Sequence, residues 1–424
     1  MRVGFLGAGK LGGVVALAME SKGHDVLVCD KADWVRDAFD DRKWPHKELG
    51  VPELMKKTKI SCVPIKELIQ HSEIIFVAVQ TPHEHQYGGA VPLPPDRKDF
   101  DYTALKAAIT ELVDVIRCRN PVLNHILIAV ISTVLPGTIR REILPGLTFG
   151  IGGGAQMPFV YCPFFAAMGT VVEDVLDPEF VLLGKNTTAA HEPVKHLFEQ
   201  LHKAPIIEMS IESAELAKVA YNTFIEMKVT WANTVMEIAH KTPGCSVDEV
   251  TFALKQATDR LVSTRYMDGG VVGGGGCHPR DNIAMSWLAK KLDIRSNFFE
   301  SVMQAREEQA SWLVDLFIKE AGRLPLLLFG KSYKPESELM DGSAGLLMGE
   351  ILSRKHRIAF HHYDPFVDGG TPDRYLDRAS AYLICTKHPC FAEYKFPPGS
   401  VVVDPFRVIP ERDGVRVVAV GRGK

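Results

Sequence analysis

The feature that most constrains the fold is a glycine-rich stretch that directly follows a short apolar segment at the start of the chain. Arg2–Leu6 predicts a buried strand, and the sequence GAGKLG follows it at residues 7–12. A helical pattern then runs from about Val14 to Ser21, and Asp25–Cys29 predicts a second strand that leads into Asp30. Strand, glycine turn, helix and strand within about 30 residues are typical of a βαβ unit.

This unit predicts a dinucleotide-binding site. The glycines allow a tight turn and a close approach of a pyrophosphate to the helix N-terminus, whose free N–H groups favour anions. Asp30 is expected to accept hydrogen bonds from the adenosine ribose and to repel a 2′-phosphate, which favours NAD over NADP. Lys31 and Arg36 lie close by and leave NADP open. The cofactor contacts predicted here are Gly7, Gly9, Lys10, Leu11, Gly12 and Asp30.

The rest of the chain predicts a second α/β half behind a long helix. Apolar segments at 74–79, 126–132 and 180–183 extend the first sheet, and residues 212–240 form one alanine-rich helical pattern. From residue 324 onwards, strands are predicted at 326–329, 357–361, 381–385 and 401–404 and a helix at 343–353. This half lacks GxGxxG, so we expect it to bind something other than a dinucleotide or to complete the substrate cleft.

We therefore predict an α/β protein with two Rossmann-like doubly wound domains joined by a long central helix. The expected boundaries are 1–205 for the NAD-binding domain, 206–300 for a central helical domain that carries catalysis and dimerisation, and 301–424 for a second Rossmann-like domain. A helix as long as 212–240 usually spans between domains or forms a subunit interface, which favours a homodimer.

Composition narrows the classes of function. A net charge of −3 over 424 residues gives no electrostatic case for nucleic acid or for an anionic membrane surface. No apolar run reaches the ~18 residues that a membrane span requires, and the first strand begins at Arg2, which leaves no room for a signal peptide. The eight cysteines show no CxxC pair, and no histidine pair shows zinc-ligand spacing, so we expect a cytoplasmic protein with reduced thiols and no metal.

A second glycine-rich stretch carries the candidate chemistry. Four glycines at 273–276 run directly into Cys277, and Asp281 follows four residues later. A side-chain-free backbone can approach a ligand closely and present a thiol to it, and Asp281 shares that site if a helix begins near Pro279. The alternative is a flexible loop beside a buried cysteine.

The order of motifs along the whole chain resembles the UDP-glucose/GDP-mannose dehydrogenase family, whose NAD-dependent members oxidise the C6 alcohol of a nucleotide sugar to a carboxylate. After the GAGKLG turn come VQTP at 79–82, STVLPGT at 132–138, and a helix that carries Lys218 and Asn222. The glycine loop with Cys277 and Asp281 follows, and GKSYKP at 330–335 contains Lys334. The most specific of these are residues 132–138, the pair Lys218 and Asn222, and the pair Cys277 and Asp281.

The resemblance implies a role for each matching residue. Cys277 matches the cysteine that holds the aldehyde as a thiohemiacetal and then as a thioester, and Lys218 and Asn222 match the donors that stabilise its oxyanion. Asp281 matches the aspartate that helps to organise the water and the base, and Thr133 matches the threonine that positions a water or the reacting hydroxyl. Further cofactor contacts implied are Thr81, Pro82 and Thr133. Substrate contacts implied are Phe164, Lys218, Asn222, Arg260, Tyr266, Gly274 and Lys334.

Several positions depart from the family pattern. Phe164 and Met168 stand where the family has glutamates, of which the first is its base for thioester hydrolysis. Val272 and Gly273 stand where glycine and then phenylalanine are usual. Phe164 and Met168 are apolar, so neither can serve as the base. An alternative therefore remains: a dehydrogenase that stops at the aldehyde, or that passes the thioester to a nucleophile other than water. A third hypothesis is a non-catalytic nucleotide-binding protein. The presence of Cys277 argues against it.

The missing glutamate leaves two candidates for the base. His278 titrates near neutrality but is adjacent to Cys277 in sequence, and neighbouring side chains usually point apart. Asp281 is the better placed of the two if the segment after Pro279 is helical. On the sequence alone we expect Asp281→Asn, rather than His278→Ala, to trap a covalent adduct on Cys277.

Overall fold

The computed structural model describes residues 1–119, 126–147, 157–185 and 191–423 of the chain. Contacts divide the chain into two compact units. Unit 1 comprises Met1–Pro82 and Phe100–Val219, and unit 2 comprises His83–Asp99 and Ala220–Lys424.

Unit 1 is built on a seven-stranded sheet in the order β2-β1-β3-β4-β5-β6-β7. Neighbouring strands are parallel except β5 and β6, which are antiparallel. The strands are β1 (Arg2–Leu6), β2 (Asp25–Cys29), β3 (Ile74–Val77), β4 (Leu127–Val130), β5 (Phe159–Tyr161), β6 (Val181–Lys185) and β7 (Ile206–Ser210). The helices that begin in this unit are α1 (Gly12–Ser21), α2 (Asp33–Asp40), α3 (Val51–Lys57), α4 (Ile65–His71), α5 (Thr103–Arg119), α6 (Val171–Leu176), α7 (Glu192–Leu201) and α8 (Ile211–Lys241).

Unit 2 contains an all-parallel five-stranded sheet in the order β12-β11-β10-β8-β9. Its strands are β8 (Leu326–Phe329), β9 (His361–Tyr363), β10 (Ala381–Ile384), β11 (Val401–Asp404) and β12 (Arg416–Ala419). Its further helices are α9 (Val247–Leu254), α10 (His278–Lys291), α11 (Phe298–Ala321) and α12 (Ala344–Ile351).

Short helical turns occur in both units. Single π-helical turns lie at Ile139–Ile143 and Leu352–His356, and short 3-10 turns at His85–Tyr87, Leu144–Leu147, Asp373–Tyr375 and Pro389–Glu393.

Apolar runs explain why these strands are parallel and central. All four residues of β3, β4, β8, β10 and β11 are buried, as expected for strands that are covered on both faces. The doubly wound α/β prediction is thereby confirmed, and α8, at 31 residues, continues from unit 1 into unit 2. One strand prediction is wrong: β9 begins at His361 rather than Arg357, because Arg357 has a left-handed backbone (φ 55°) that ends the preceding helical turn.

The two units repeat one local design. Gly7 after β1 and Gly330 after β8 both have positive φ, at 90° and 114°. A helix packs directly on each of them: a β-carbon on Gly12 would lie 2.2 Å from the Gly7 oxygen, and one on Gly345 would lie 2.2 Å from the Gly330 oxygen. The two α/β halves therefore turn from strand to helix by the same close backbone contact, although only the first carries GxGxxG.

Candidate active site

The turn after β1 in unit 1 fits the predicted dinucleotide. Gly7 must be glycine, because a β-carbon there would lie 2.9 Å from the backbone of Ala78 at the end of β3. A β-carbon on Gly9, in contrast, would meet nothing within 4 Å among the described atoms, so the turn leaves open space in front of α1. This space lies at the crevice between β1 and β3, where the strand order reverses and ligands bind in such sheets.

Asp30 closes the other side of this crevice. Its carboxylate accepts one hydrogen bond from the Ala8 N–H (2.7 Å) and one from the Ala32 N–H (2.8 Å). Each oxygen retains capacity for a further donor, as a ribose hydroxyl would require. Lys31 forms an ion pair with Glu111 (2.8 Å). One of the two cations that could have bound the 2′-phosphate of NADP is therefore already paired with a carboxylate.

The ends of β3 and β4 are linked by side chains of the predicted motifs. The Thr81 hydroxyl donates to the Thr133 carbonyl and the Ser132 hydroxyl donates to the Val79 carbonyl, both at 2.6 Å. Thr81 is buried and Thr133 half-buried, while Pro82 is exposed at the end of this segment. Thr133 is thereby fixed at the carboxyl edge of the unit 1 sheet.

Glu215 holds the same segment from α8, a contact that the sequence analysis missed. Its two carboxylate oxygens accept the N–H groups of Gly137 (2.6 Å) and Ile139 (2.7 Å). Burial raises the pKa of Glu215 to about 7, and the two N–H groups act in the opposite direction. The available signal was its place on the predicted helix 212–240, three residues before Lys218.

Lys218 lies one turn further along α8 and is held within unit 1. Its Nζ donates to the Phe164 carbonyl (2.9 Å) and lies 4.6 Å from the centre of the Phe165 ring. The Phe164 side chain turns towards the core, where its ring meets Phe198 edge-on at 5.9 Å. The backbone of residue 164, rather than its side chain, therefore positions the lysine.

Cys277 in unit 2 caps the N-terminus of α10, which begins at His278 with Pro279 in its first turn. The Asp281 N–H donates to the Cys277 carbonyl (2.8 Å), which is the first helical hydrogen bond. The cysteine is exposed, so the alternative of a flexible loop beside a buried cysteine is wrong. An anionic sulfur here would lie at the positive end of the helix dipole.

Asn222 and Asp281 form a buried pair next to this cap. The Asn222 Nδ2 donates to one Asp281 oxygen (2.6 Å), and the Arg280 guanidinium donates to the other at 3.1 Å. Since Asn222 lies one helical turn after Lys218 on α8, both side chains project from the same side of that helix. The segment after Pro279 is helical, which is the condition set above for Asp281 to share the site, and this helix brings Asp281 to Asn222.

The remaining predicted contacts lie elsewhere in unit 2. Arg260 is exposed in a turn after α9, and Tyr266, at φ 64°, meets the His278 ring edge-on at 6.4 Å. A β-carbon on Gly274 would lie 3.0 Å from the Gly342 oxygen, so a side chain here would crowd the backbone. Lys334 lies 5.9 Å above the Tyr333 ring.

Ser332, His388 and Asp364 in unit 2 have the composition of a catalytic triad but not its geometry. One ring nitrogen of His388, Nε2, lies 3.2 Å from the Ser332 hydroxyl and 3.1 Å from Asp364. The other ring nitrogen accepts the Glu336 N–H at 3.0 Å, so Nε2 carries the proton and cannot take one from serine. The cluster therefore fixes a loop.

Comparison with known proteins decides the family. Residues 1–202 match the UDP-glucose/GDP-mannose dehydrogenase family, NAD binding domain, and residues 212–308 match the central domain of the same family. The chain belongs to this dehydrogenase family. It is thus an NAD-dependent oxidoreductase of the nucleotide-sugar dehydrogenase type, as the resemblance predicts.

Individual relatives of this dehydrogenase are distant. A GDP-mannose 6-dehydrogenase of Pseudomonas putida is 28% identical over 362 residues, which cover 84% of this chain and 79% of that protein. A UDP-glucose 6-dehydrogenase of Haloferax volcanii is 24% identical over 445 residues, which cover 98% and 99%. The solved structure of a UDP-glucose dehydrogenase from Pyrobaculum islandicum, at 22% identity, covers 100% of this chain and 98% of its own, with a TM-score of 0.84. That likeness confirms the fold.

The dehydrogenase also shows where the family pattern changes. Phe164 and Met168, at the two glutamate positions, both pack against the unit 1 core. Gly273, at the phenylalanine position, faces the carboxylate of Glu226 on α8, which would lie 2.0 Å from a β-carbon there. The described residues contain no group of three or more potential metal ligands, and no described helix is long and apolar enough to cross a bilayer.

Proposed function

We propose that the protein oxidises the C6 hydroxyl of a nucleotide-linked hexose to a carboxylate, with Cys277 as covalent nucleophile. The observation that carries this is the exposed thiol at the start of α10 beside the buried pair of Asn222 and Asp281. A protein that only binds nucleotides has no need of an exposed thiol next to a paired amide and carboxylate. NAD, when bound, accepts a hydride from the substrate carbon in each of two oxidations.

The chain supplies the remaining chemistry. In the first oxidation the C6 hydroxyl loses its proton to a water, and an aldehyde results; the family resemblance implies that Asp281 helps to orient that water. The Cys277 sulfur then bonds to the carbonyl carbon, and the oxygen gains a proton to become the hydroxyl of a thiohemiacetal. Lys218 and the second N–H of the Asn222 amide stabilise the negative oxygen in between. After the second oxidation water adds to the thioester, the C–S bond breaks, and a carboxylate and a free thiol remain.

A second candidate function rests on the apolar wall at Phe164 and Met168. With no carboxylate at either position, the thioester lacks the water-activating group that the family resemblance implies there. The enzyme would then stop at the aldehyde after one hydride transfer, or pass the acyl group to a nucleophile other than water.

The test is product stoichiometry. Purified enzyme is mixed with NAD and, in turn, UDP-glucose, GDP-mannose and CDP- and ADP-linked hexoses, while NADH absorbance and sugar products are measured. We expect one of these to yield two NADH and one free carboxylate per sugar. One NADH with an aldehyde product would favour the second candidate, and no NADH with any hexose nucleotide would reject both.

We also propose a homodimer formed through α8, in a cytoplasmic protein with reduced thiols. Phe224, Trp231 and Ile238 are 47%, 44% and 60% exposed and recur every seven residues, so they form one apolar stripe. All eight cysteines are unpaired. Light scattering of Trp231→Glu should show a monomer where the wild type shows a dimer, and a wild-type monomer would refute the assembly.

A further inference from the structure

Glu226 and Arg306 form a buried charged pair in unit 2 that the proposed mechanism does not use. Both side chains are fully buried, with the Arg306 Nε 3.5 Å from a Glu226 oxygen. Neither Glu226 oxygen receives a hydrogen bond from the described residues. A buried carboxylate without hydrogen bonds is costly, so its retention calls for an explanation.

Arg306 compensates Glu226 only in part, because most of its donors serve backbone carbonyls. Its Nε donates to Gly273 at 3.0 Å, and its Nη2 contacts the carbonyls of Gly89 (2.8 Å) and Gly342 (3.3 Å). Burial raises the pKa of Glu226 to about 7, and Arg306 acts in the opposite direction. A carboxyl group that exchanges its proton near neutrality is suited to acid–base chemistry.

His278, the residue that follows Cys277, lies near Glu226. Its Nδ1 lies 4.0 Å from the Glu226 Oε2, and the imidazole is 24% exposed. The same residue begins α10 directly after Cys277. One ring nitrogen thus faces the buried carboxylate, and the imidazole also reaches solvent. A distance of 4.0 Å is long for a hydrogen bond, but such contacts often tighten only when substrate is bound.

We infer that His278, positioned by Glu226, is the general base for hydrolysis of the Cys277 thioester, in place of the glutamate absent at position 164. This inference rests on the proposed function. The His278 Nε2 takes a proton from water as the water oxygen bonds to the thioester carbon. The tetrahedral oxyanion then re-forms the carbonyl, the C–S bond breaks, and the thiolate leaves with the bonding electrons. The imidazolium, stabilised by Glu226, returns its proton to the thiolate, and the carboxylic acid ionises to solvent.

Asp281 is less suited to this role than the sequence suggested. One of its oxygens is engaged by Asn222 and the other by Arg280, so the carboxylate is already committed to orienting the amide. Gly273 gives independent support for Glu226. The space that a side chain at 273 would occupy is filled by the Glu226 carboxylate, so the glycine and the glutamate depend on each other.

The experiment separates hydrolysis from the oxidations. Glu226→Gln and His278→Ala are mixed with NAD and the hexose nucleotide that the wild type oxidises, chosen from the panel of UDP-glucose, GDP-mannose and CDP- and ADP-linked hexoses above. Stopped-flow absorbance gives the NADH burst, and intact mass gives the Cys277 adduct. We expect a retained burst of two NADH per subunit, steady-state turnover about 100-fold lower, and an acyl adduct. Hydroxylamine, which attacks thioesters without a general base, should restore turnover in both variants.

Glu307→Gln is the matched control, because Glu307 is a half-buried acid near Arg306 and accepts the Leu93 N–H at 2.8 Å. It should keep wild-type NADH formation, in the burst and in the steady state, and show no adduct. If the Glu226 and His278 variants lose burst and steady state in equal proportion, or show no adduct, the inference is wrong although the function stands. If Glu226→Gln does not fold, the burst and adduct of His278→Ala decide. Absence of NADH formation by the wild type would reject the function itself, and the inference with it.

Discussion

The carboxylate of Glu226 occupies the position that a side chain at Gly273 would need, 2.0 Å from the β-carbon of any other residue. The carboxylate and the glycine lie on different elements, α8 and the loop before α10, 47 positions apart in the chain. A large residue at 273 and an acid at 226 therefore exclude each other.

Gly273→Ala should lower the free energy of unfolding by about 1–3 kcal/mol, because the methyl group must displace a buried carboxylate that cannot retreat from Arg306. Urea titration measures the change. Gly276→Ala is the control, since its nearest neighbour, the Asp341 Cβ, would lie 3.7 Å away, and it should stay within about 0.5 kcal/mol of wild type. Equal losses in both variants would contradict the steric argument.

Cys277→Ser should remove the covalent intermediate and lower the rate of carboxylate formation by at least about 100-fold, since a serine hydroxyl is a far weaker nucleophile than a thiolate. NADH absorbance and intact mass with substrate and NAD provide the readouts. Cys118→Ser, another exposed cysteine, should behave as wild type. Wild-type kinetics in Cys277→Ser would instead revive a role limited to binding.

Asn222→Ala and Asp281→Asn should be strongly non-additive. Because Asp281 orients the amide of Asn222 through a buried 2.6 Å hydrogen bond, either change removes the same unit, and we expect each to cost about 100-fold in kcat. The double variant should lose scarcely more than either single variant. Initial rates of NADH formation measure all three, and a multiplied loss in the double variant would show that the residues act separately.

Asp30→Ser should weaken NAD binding by about 10-fold and improve NADP binding relative to NAD, because it removes the acceptor and the negative charge near the ribose. Fluorescence titration with NADH and NADPH gives both affinities. Asp33→Asn, in the first turn of α2, alters a nearby charge without touching the Ala8 N–H and should leave the preference intact. An unchanged ratio in Asp30→Ser would place the ribose elsewhere.

Glu215 should make the protein less stable as pH rises. Its pKa of about 7 in the folded state exceeds the ~4.3 of an unfolded glutamate, so the folded state retains a proton that the unfolded state loses. The associated stability is present below about pH 4.3 and is lost as pH rises through about 7. Thermal melts between pH 5 and 8 should show a smaller decrease in Glu215→Gln. Glu212→Gln is the control: Arg140 lowers the pKa of Glu212, so this acid is ionised in both the folded and the unfolded state above about pH 5, and its removal should leave the decrease unchanged.

Local patterns explain why much of the fold could be predicted. The predicted strands at Arg2–Leu6, Asp25–Cys29, Leu326–Phe329 and Val401–Asp404 are confirmed residue for residue, since each is an apolar run bounded by turn residues. The helix over 212–240 is confirmed to within one residue at each end. The three domain boundaries and the roles of the site residues stay predictions.

What the sequence did not reveal are contacts between distant positions. Nothing near Glu215 in sequence indicates that it accepts the N–H groups of Gly137 and Ile139, and nothing near Glu226 indicates His278 or Arg306. Such partners are chosen by tertiary packing, which periodicity does not encode. The departure at Gly273 is visible in the sequence, but its cause, the Glu226 carboxylate that fills the space of a side chain there, is a tertiary contact.

Asp30 after β2 and Asp364 after β9 stand at equivalent places in the two sheets but differ in how many donors their carboxylates bind. Asp30 receives two hydrogen bonds, whereas the oxygens of Asp364 accept from the N–H groups of Lys331, Ser332, Phe366 and Val367, from the Ser332 hydroxyl and from His388. Burial opposes the charge of Asp364, yet these donors hold its pKa below the usual range. A substitution at position 30 therefore breaks two hydrogen bonds to the backbone, whereas one at position 364 leaves six donors without their acceptor and should destabilise the fold of unit 2.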